Sequence, residues 1–257
     1  MASSIFETTS PDDYLLRLAA SDLGRSYKQL ALAELQITPG QVVLDLGCGP
    51  GADLPAYADA TGTDGRVIGI DNDPRMVDQA RERTGARAQI RVEPGDIHRV
   101  PLADHSTDRI HTDRVLQHVA DPSTVLAEAR RLLRPGGRAV FAEPDWHTLI
   151  IDHPNLTIAR AYTRFVCEQV VRNAGIGRQL ARLATAAGLA VEKVVPITAV
   201  FRDAMAADKV LGLHRTTERA VRAGYLGGDQ AQELLRHMTS EPFFASATLF
   251  ILMTTVD

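Results

Sequence analysis

Lysine is almost absent from this chain of 257 residues: Lys28, Lys193 and Lys209 are the whole set, and arginine supplies the remaining positive charge. The total of 28 basic against 32 acidic residues leaves a net charge of -4. There is therefore no global basic field of the kind that holds nucleic acid through its phosphates, and no nucleic-acid partner is expected. Cysteine is scarce too. Cys48 and Cys167 cannot make a disulfide framework, and neither belongs to a C-x-x-C pair of the kind that binds zinc, so a reducing, cytoplasmic setting is expected. Met1 to Tyr14 carry no basic segment followed by an apolar stretch, so no secretory leader is expected. The longest apolar run, Ala247 to Met253, is interrupted by Thr248 and falls far short of the roughly 20 residues of a membrane span. No membrane partner is expected. Internal repeats and low-complexity tracts are also lacking. Arg and Ala richness suggests the codon usage of a GC-rich bacterial genome, and a bacterial source is the expectation.

The chain that remains is ordinary in its hydrophobic content, 45%, and long enough to bury a sizeable core. Residues 1–10 read as a disordered start. Ser10-Pro11-Asp12-Asp13 is a helix-start signature, and Leu15, Leu18, Ala19, Leu23, Tyr27, Leu30 and Ala31 then recur at helical spacing up to Leu35. Val42 to Leu46 is apolar on both faces apart from Asp45, as a strand buried in a parallel sheet would be. Strand and helix signals alternate from there. Strands are expected at 67–70, 89–92, 108–112 and 138–142, and helices at 74–83 and 122–133, the last closed by Pro135-Gly136-Gly137. This order predicts an α/β fold with a parallel sheet and helices on both faces. After Glu143 the alternation breaks. Helices are expected over 154–174, 178–187 and 203–237, and strands over 191–201 and 243–256. The whole chain, 1–257, reads as a single domain. Its core covers about 36–150, 178–202 and 241–257, under a helical cap from 11–35, 151–177 and 203–240.

The chemistry concentrates at strand ends. Asp45-Leu46-Gly47-Cys48-Gly49-Pro50-Gly51 follows a buried strand and precedes a helix, where open α/β sheets bind ligands. The spacing is G-x-G-x-G and not the G-x-G-x-x-G of dinucleotide enzymes, and no Lys-Ser/Thr follows as in a P-loop. A carboxylate at position 45 would repel a pyrophosphate and suits a ligand with a cationic group. Asp71 ends the next strand, where it can accept from two vicinal ribose hydroxyls. Asp96, in Gly95-Asp96-Ile97, follows the third strand, placed to accept from an exocyclic amino group with Ile97 against the ring. Each acid alone reads as a surface loop residue. Three at successive strand ends is the spacing a nucleoside requires.

VVLDLGCGPG (42–51), GIDNDPRM (69–76), GDI (95–97), DRVLQHV (113–119) and LLRPGG (132–137) together resemble the class I S-adenosylmethionine-dependent methyltransferases. The branch containing the ubiquinone- and menaquinone-biosynthesis enzymes (methyltransferase type 11) is the most similar in feel. The resemblance covers about residues 25–145. It implies a Rossmann-like, seven-stranded, mostly parallel sheet with the last strand antiparallel, S-adenosyl-L-methionine as cofactor and S-adenosyl-L-homocysteine as product. It further implies that Asp45, Gly47 and Gly49 face the methionine part. Asp71 would hold the ribose, Asn72 and Met76 would flank ribose and adenine, and Asp96 with Ile97 would bind the adenine edge. Arg114 would lie by the methionine end, with Tyr27 and Arg25 closing over it.

Methyl transfer from a sulfonium demands alignment and exclusion of water more than a dedicated base. His118 is the candidate catalytic residue, since some small-molecule amine methyltransferases of this fold resemble it in placing a His there and its ordinary pKa suits proton acceptance; a helix-cap role is the competing reading. Glu143, Asp145, His147, Asp152 and His153 do not follow the pattern of metal-dependent catechol-type enzymes, so they read as loop and cap residues and no metal is expected. Trp146 reads as either a wall of the acceptor pocket or core. The expected function is methyl transfer to a small molecule, a natural-product or quinone-like intermediate, by a monomer or homodimer. The alternatives are an RNA or protein methyltransferase, disfavoured because Asp113-Arg114-Val115-Leu116 stands where an N-P-P-Y-type tetrapeptide would be, or a cofactor-binding protein of this fold without methyl transfer.

Overall fold

The computed structural model describes residues 22–239 and 242–257. Among them the chain runs α1 (Asp22–Leu35), β1 (Val42–Leu46), α2 (Leu54–Thr61), β2 (Arg66–Asp71), α3 (Pro74–Thr84), β3 (Ile90–Pro94), β4 (Thr107–Asp113) and α4 (Pro122–Leu132). It continues with β5 (Leu133–Ile151), α5 (Leu156–Phe165), a π-helical turn (Val166–Val170), α6 (Ile176–Ala186) and β6 (Ala190–Phe201). Three helices follow, α7 (Ala204–Leu211), α8 (Leu213–Arg222) and α9 (Gly228–Met238), before β7 (Ala245–Thr255). No described helix is long and apolar enough to cross a membrane.

The seven strands form one sheet in the order β3-β2-β1-β4-β5-β7-β6. β1 to β5 are parallel, and β7 runs antiparallel to both β5 and β6. The chain steps outward from β1 through β2 to β3, then crosses back to lay β4 on the other flank of β1. That reversal opens a crevice at the carboxyl ends of β1 and β4, the place where such sheets take ligands.

Residue alternation in the central strands explains the two helical layers. Leu44 and Leu46 of β1, Ile110 of β4 and Phe141 of β5 face Val125, Leu126 and Leu132 of α4 and Leu180 of α6. Val43, Val67 and Val140 point the other way, onto Leu35 of α1, Leu54 and Ala58 of α2, and Val77 and Ala80 of α3. The described part of the N-terminal helix thus packs on the sheet; its expected portion over 11–21, with the disordered start, lies outside the described residues. A third apolar cluster lies under α5, α8 and α9, with Tyr162, Phe165, Leu213, Leu234 and Phe243 at its centre.

Local chemistry sets the helix starts. Asp73 accepts from the Arg75 N–H and Asp121 from the Ser123 N–H, each followed by a proline at the first helical position. Where the structure departs from the pattern of the sequence, long-range pairing is the reason. The strand expected at 138–142 extends over 133–151, because β7 pairs along it from Arg138–Thr255 to Ile151–Ala245. The single helix expected over 154–174 stops at Phe165 and gives way to the π turn, closed by the Val171 N–H on the Val166 carbonyl at 3.2 Å. The stretch 203–237 is three helices, broken at Gly212 in the left-handed region and at the Gly224–Gly227 turn.

Phe141 is fully buried between the β4 and β7 neighbours of β5. Phe141→Ala is expected to cost about 3–5 kcal/mol of stability, read from urea denaturation.

Candidate functional site

Four strand ends meet at the crevice. After β1 the chain turns sharply, and the N–H groups of Gly47 and Cys48 both donate to the Ile70 carbonyl, at 2.8 and 3.0 Å. Gly47 has φ of +78°, and a Cβ there would lie 2.5 Å from a methyl of Val115. Both the backbone geometry and the close approach of the β4 loop therefore require glycine. The Gly49 N–H donates to one oxygen of Asp71 at 2.8 Å, and the Asp73 N–H donates to the other at 2.9 Å. Asp71 is thereby fixed across the glycine turn. Burial pushes its carboxyl up, opposed by these two N–H donors. Asp96 accepts from the backbone N–H and the ring Nδ1 of His98, at 2.9 and 2.6 Å, contacts that hold its pKa below the ordinary value.

The exit of β4 is held more elaborately. Glu143 of β5, fully buried, accepts from the backbone N–H groups of Val115, Leu116 and Gln117 at 2.8, 2.6 and 3.2 Å. Burial outweighs these donors and pushes its carboxyl up to about 8. Gln117 donates to the Arg114 carbonyl and accepts from the Trp146 indole N–H at 2.8 Å. The Asn173 amide donates to the carbonyls of Leu116 and Val119. Arg114 itself has φ of +57°, an uncommon conformation for a side-chain-bearing residue, and its N–H donates to the Ala142 carbonyl at 2.8 Å.

Beneath this loop sits a buried ionic group. Asp113 accepts from Tyr27 Oη at 2.9 Å and from Lys28 Nζ at 2.6 Å, with Arg114 Nε at 3.4 Å. Lys28 also reaches Asp53 at 2.5 Å. Burial alone would raise the Asp113 carboxyl, but Lys28 and Arg114 outweigh it and hold it well below the usual carboxylate range. Burial likewise opposes the Lys28 ammonium, and Asp113 and Asp53 reverse the balance, raising it above its usual value.

These elements enclose a cavity of about 720 Å³. At one end it is lined by Gly47, Gly49, Asp71, Asn72, Met76, Asp96 and Ile97. At the other it meets an apolar wall formed by Ile197, Ala199 and Phe201 of β6, Ala247 and Leu249 of β7, and Val210 and Leu211 of α7. Arg114, Gln117, His118, Trp146 and Arg172 also face it. His118 is exposed and lines the cavity; loss of water around the imidazole, with the Arg114 charge second, holds its pKa down to about 4.

Nine of the residues singled out from the sequence, His118 among them, come together here, and Tyr27 joins them. Asp45 does not. Strand alternation turns its side chain to the α1–α2 face with Val43, where it is buried 3.6 Å from His111 Nδ1, itself 2.8 Å from the Tyr57 hydroxyl. Arg25 lines a separate cavity of about 200 Å³ with Lys28, Asp53 and His111. Glu143 and Asp145 are engaged structurally, on the β4 loop and on Arg178. Trp146 is both wall and core, only 6% exposed. The sequence reading missed Asp113, which stands at a strand end like the others and was open to the same rule. It also missed Gln117, Arg172 and the β6–β7 wall, for which no local signal exists.

Residues 37–188, more than half of the chain, match the family described as a methyltransferase domain. The chain is 57% identical over 255 residues to an uncharacterized 37.1 kDa protein in transposon TN4556 of Streptomyces fradiae, covering 98% of this chain and 74% of that one. A demethylmenaquinone methyltransferase of Staphylococcus aureus is 28% identical over 137 residues, which cover 53% of this chain and 57% of that enzyme. Among solved structures, a geranyl diphosphate methyltransferase in complex with S-adenosylmethionine shares the fold, with a TM-score of 0.59 at 17% identity over 98% of this chain and 94% of that one.

Lys28→Met would leave Asp113, and the half-buried Asp53, without their shared cation. A loss of about 3–5 kcal/mol is expected in urea denaturation at neutral pH. Asp113 has a depressed folded pKa, so its share of stability is present above the unfolded carboxylate value, near 3.9, and is lost as the pH falls below it. The deficit of the variant should therefore shrink below that pH.

Proposed function

The chain belongs to the methyltransferase-domain family and is an S-adenosylmethionine-dependent methyltransferase, and on that premise we propose that it methylates a small molecule held against the β6–β7 wall. One observation carries this reading: the carboxylate-lined end and the apolar end belong to the same cavity, whose volume lies in the range of small-molecule sites, about 300–1,000 Å³. The demethylmenaquinone and geranyl diphosphate enzymes are named for small molecules, which supports the same class of acceptor.

The residues at the polar end fit the cofactor by their donor and acceptor chemistry. Each Asp71 oxygen receives one backbone N–H and keeps further acceptor capacity, enough for two vicinal ribose hydroxyls. Met76 and Ile97, both buried and both lining the cavity, offer apolar surfaces for the faces of a purine. Asp96, pinned by His98, is an acceptor for an amino group. Asp71, Asp73, Asp96 and Asp113 make this end acidic and favour a cation. When bound, the cofactor supplies a methyl group already activated on a sulfonium.

What the chain contributes is alignment. Glu143 and Asn173 fix the 114–119 segment, so that His118 and Gln117 are presented to the cavity from a rigid support. His118 is neutral across the physiological range, because its pKa is held near 4. A neutral imidazole accepts a hydrogen bond from the nucleophile of the acceptor and orients it; so weak a base passes the proton on to water. The wall of β6, β7 and α7 would shield the acceptor from solvent on its side.

Incubation with S-adenosylmethionine and panels of small molecules, RNA and protein tests the class. Methylated product is expected from small molecules alone; product only from RNA or protein, or none at all despite cofactor binding, opposes the proposal. Asp71→Ala should weaken S-adenosylhomocysteine binding about tenfold or more in calorimetry, since hydrogen bonds to a charged carboxylate are worth about 1.5–3 kcal/mol each. His118→Ala should lower kcat while leaving that affinity unchanged. In the wild-type enzyme the loss of rate caused by His118 protonation should set in only as the pH approaches about 4, not near the ordinary histidine value. An acid limb near 6.5 that vanishes in His118→Ala would contradict the assignment.

A further inference from the structure

Resting on the reading of this cavity as cofactor and acceptor site, we propose that Arg172 selects the acceptor: the cavity takes an apolar molecule that carries an anionic oxygen, a carboxylate or an ionised phenol or enol, paired with the Arg172 guanidinium.

Three arginines line the cavity. Arg75 is paired with Asp73 at 2.8 Å, and Arg114 lies 3.4 Å from Asp113. Arg172 differs from both. Among the described residues no carboxylate stands within ion-pairing distance of its guanidinium, although it lines a cavity whose opposite end is rich in carboxylates. A guanidinium is always charged and presents a planar fork of donors matched to a carboxylate. Exposed, and facing the cavity with no carboxylate beside it, the guanidinium is available to whatever fills that cavity.

The backbone around Arg172 is specified, not incidental. Continuation of α5 as an α-helix would advance the chain by about 100° per residue. The π turn Val166–Val170 replaces that continuation and anchors itself through Val166 and Val171, both buried in the third apolar cluster. Turns of this kind recur at functional sites. Immediately after it, Asn173 is stitched to the segment that carries the acceptor-side polar groups. Its backbone N–H donates to the Gln117 carbonyl at 3.0 Å, and its side-chain amide to Leu116 and Val119. The chain at Arg172 is thereby held next to the Gln117 backbone, on the segment that carries His118, and its side chain lines the same cavity as the apolar wall.

The wall supplies the other half of the specificity. Ile197, Ala199, Phe201, Leu211 and Leu249 present only hydrocarbon, and the hydroxyl of Thr248 beside them is joined to that of Thr198, so a largely polar acceptor would lose water there with little replacement. An apolar body with one anionic oxygen satisfies both surfaces. The charge on Arg172 would also favour the ionised form of a phenol or enol, the form in which oxygen or the adjacent carbon is nucleophilic, and so would lessen the need for a strong base.

The test is calorimetric and uses the whole protein saturated with S-adenosylhomocysteine, titrated with decanoate, decan-1-ol and decyltrimethylammonium as probes. Wild type is expected to bind decanoate about tenfold tighter than decanol, or 1.4 kcal/mol, with the ammonium weakest. Arg172→Gln should bind decanoate and decanol equally, and Arg172→Lys should keep part of the preference because the charge survives without the fork. Equal binding of the three probes by wild type overturns the proposal, as does a decanoate preference that survives in Arg172→Gln or an absence of decanoate binding in protein that binds S-adenosylhomocysteine. Failure to bind S-adenosylhomocysteine at all would instead overturn the cofactor reading beneath it.

Discussion

The walls of the cavity hang on one buried carboxyl group. Glu143 leaves β5 directly beneath the exit of β4 and gathers the N–H groups of three consecutive residues, 115 to 117. Without that acceptor these donors would be buried and unsatisfied, at about 1–3 kcal/mol each. The loop therefore has one favoured shape, and everything it carries inherits that shape: the left-handed Arg114, Val115 against Gly47, Gln117 on the Trp146 indole, and His118 at the cavity. The same segment accepts the Asn173 amide, so the chain after the π turn is referenced to the same support. Both ends of the cavity share one rigid support, and in the proposed reaction that support would hold the two partners in line.

Charge in this site is arranged by sharing. Four carboxylates line one end of the cavity, yet Asp113 is answered by Lys28 and Arg114, and Asp71 by backbone N–H groups. Lys28 lies on α1, so the N-terminal helix is tied to the crevice by charge as well as by the packing of Ala31 and Leu35. The acidic end of the cavity and the docking of α1 are thus coupled through one ammonium group.

How much of this was legible in the sequence depended on the range of the interaction. Asp71 and Asp96 stood out because a lone acid ending an apolar run is conspicuous, and the glycine turn because its spacing is local. The same local reasoning misled at Asp45: its position on β1 was right, but alternation alone turns it to the α1–α2 face and into the His111–Tyr57 contact. The Lys28–Asp113 pair joins residues 85 apart, and nothing in either segment announces the other. The length of β5 was illegible for the same reason, since it is set by β7. The π turn leaves no trace in apolar periodicity, because Val166 and Val171 would serve an α-helix as well. Arg172, an arginine among many, gains its meaning only from the cavity it faces.

The antiparallel pairing of β7 has a consequence for synthesis. Thr248 is joined to Thr148 across 100 residues of chain, and β6 pairs with β7 alone. On the ribosome, the strands that wrap the glycine turn and the carboxylates are complete long before β7 emerges. Until then the far side of β5 is a bare edge of buried-type residues, open to pairing with another nascent chain. Translation therefore completes the strands around the carboxylate-lined end of the cavity before the strands of its hydrocarbon wall.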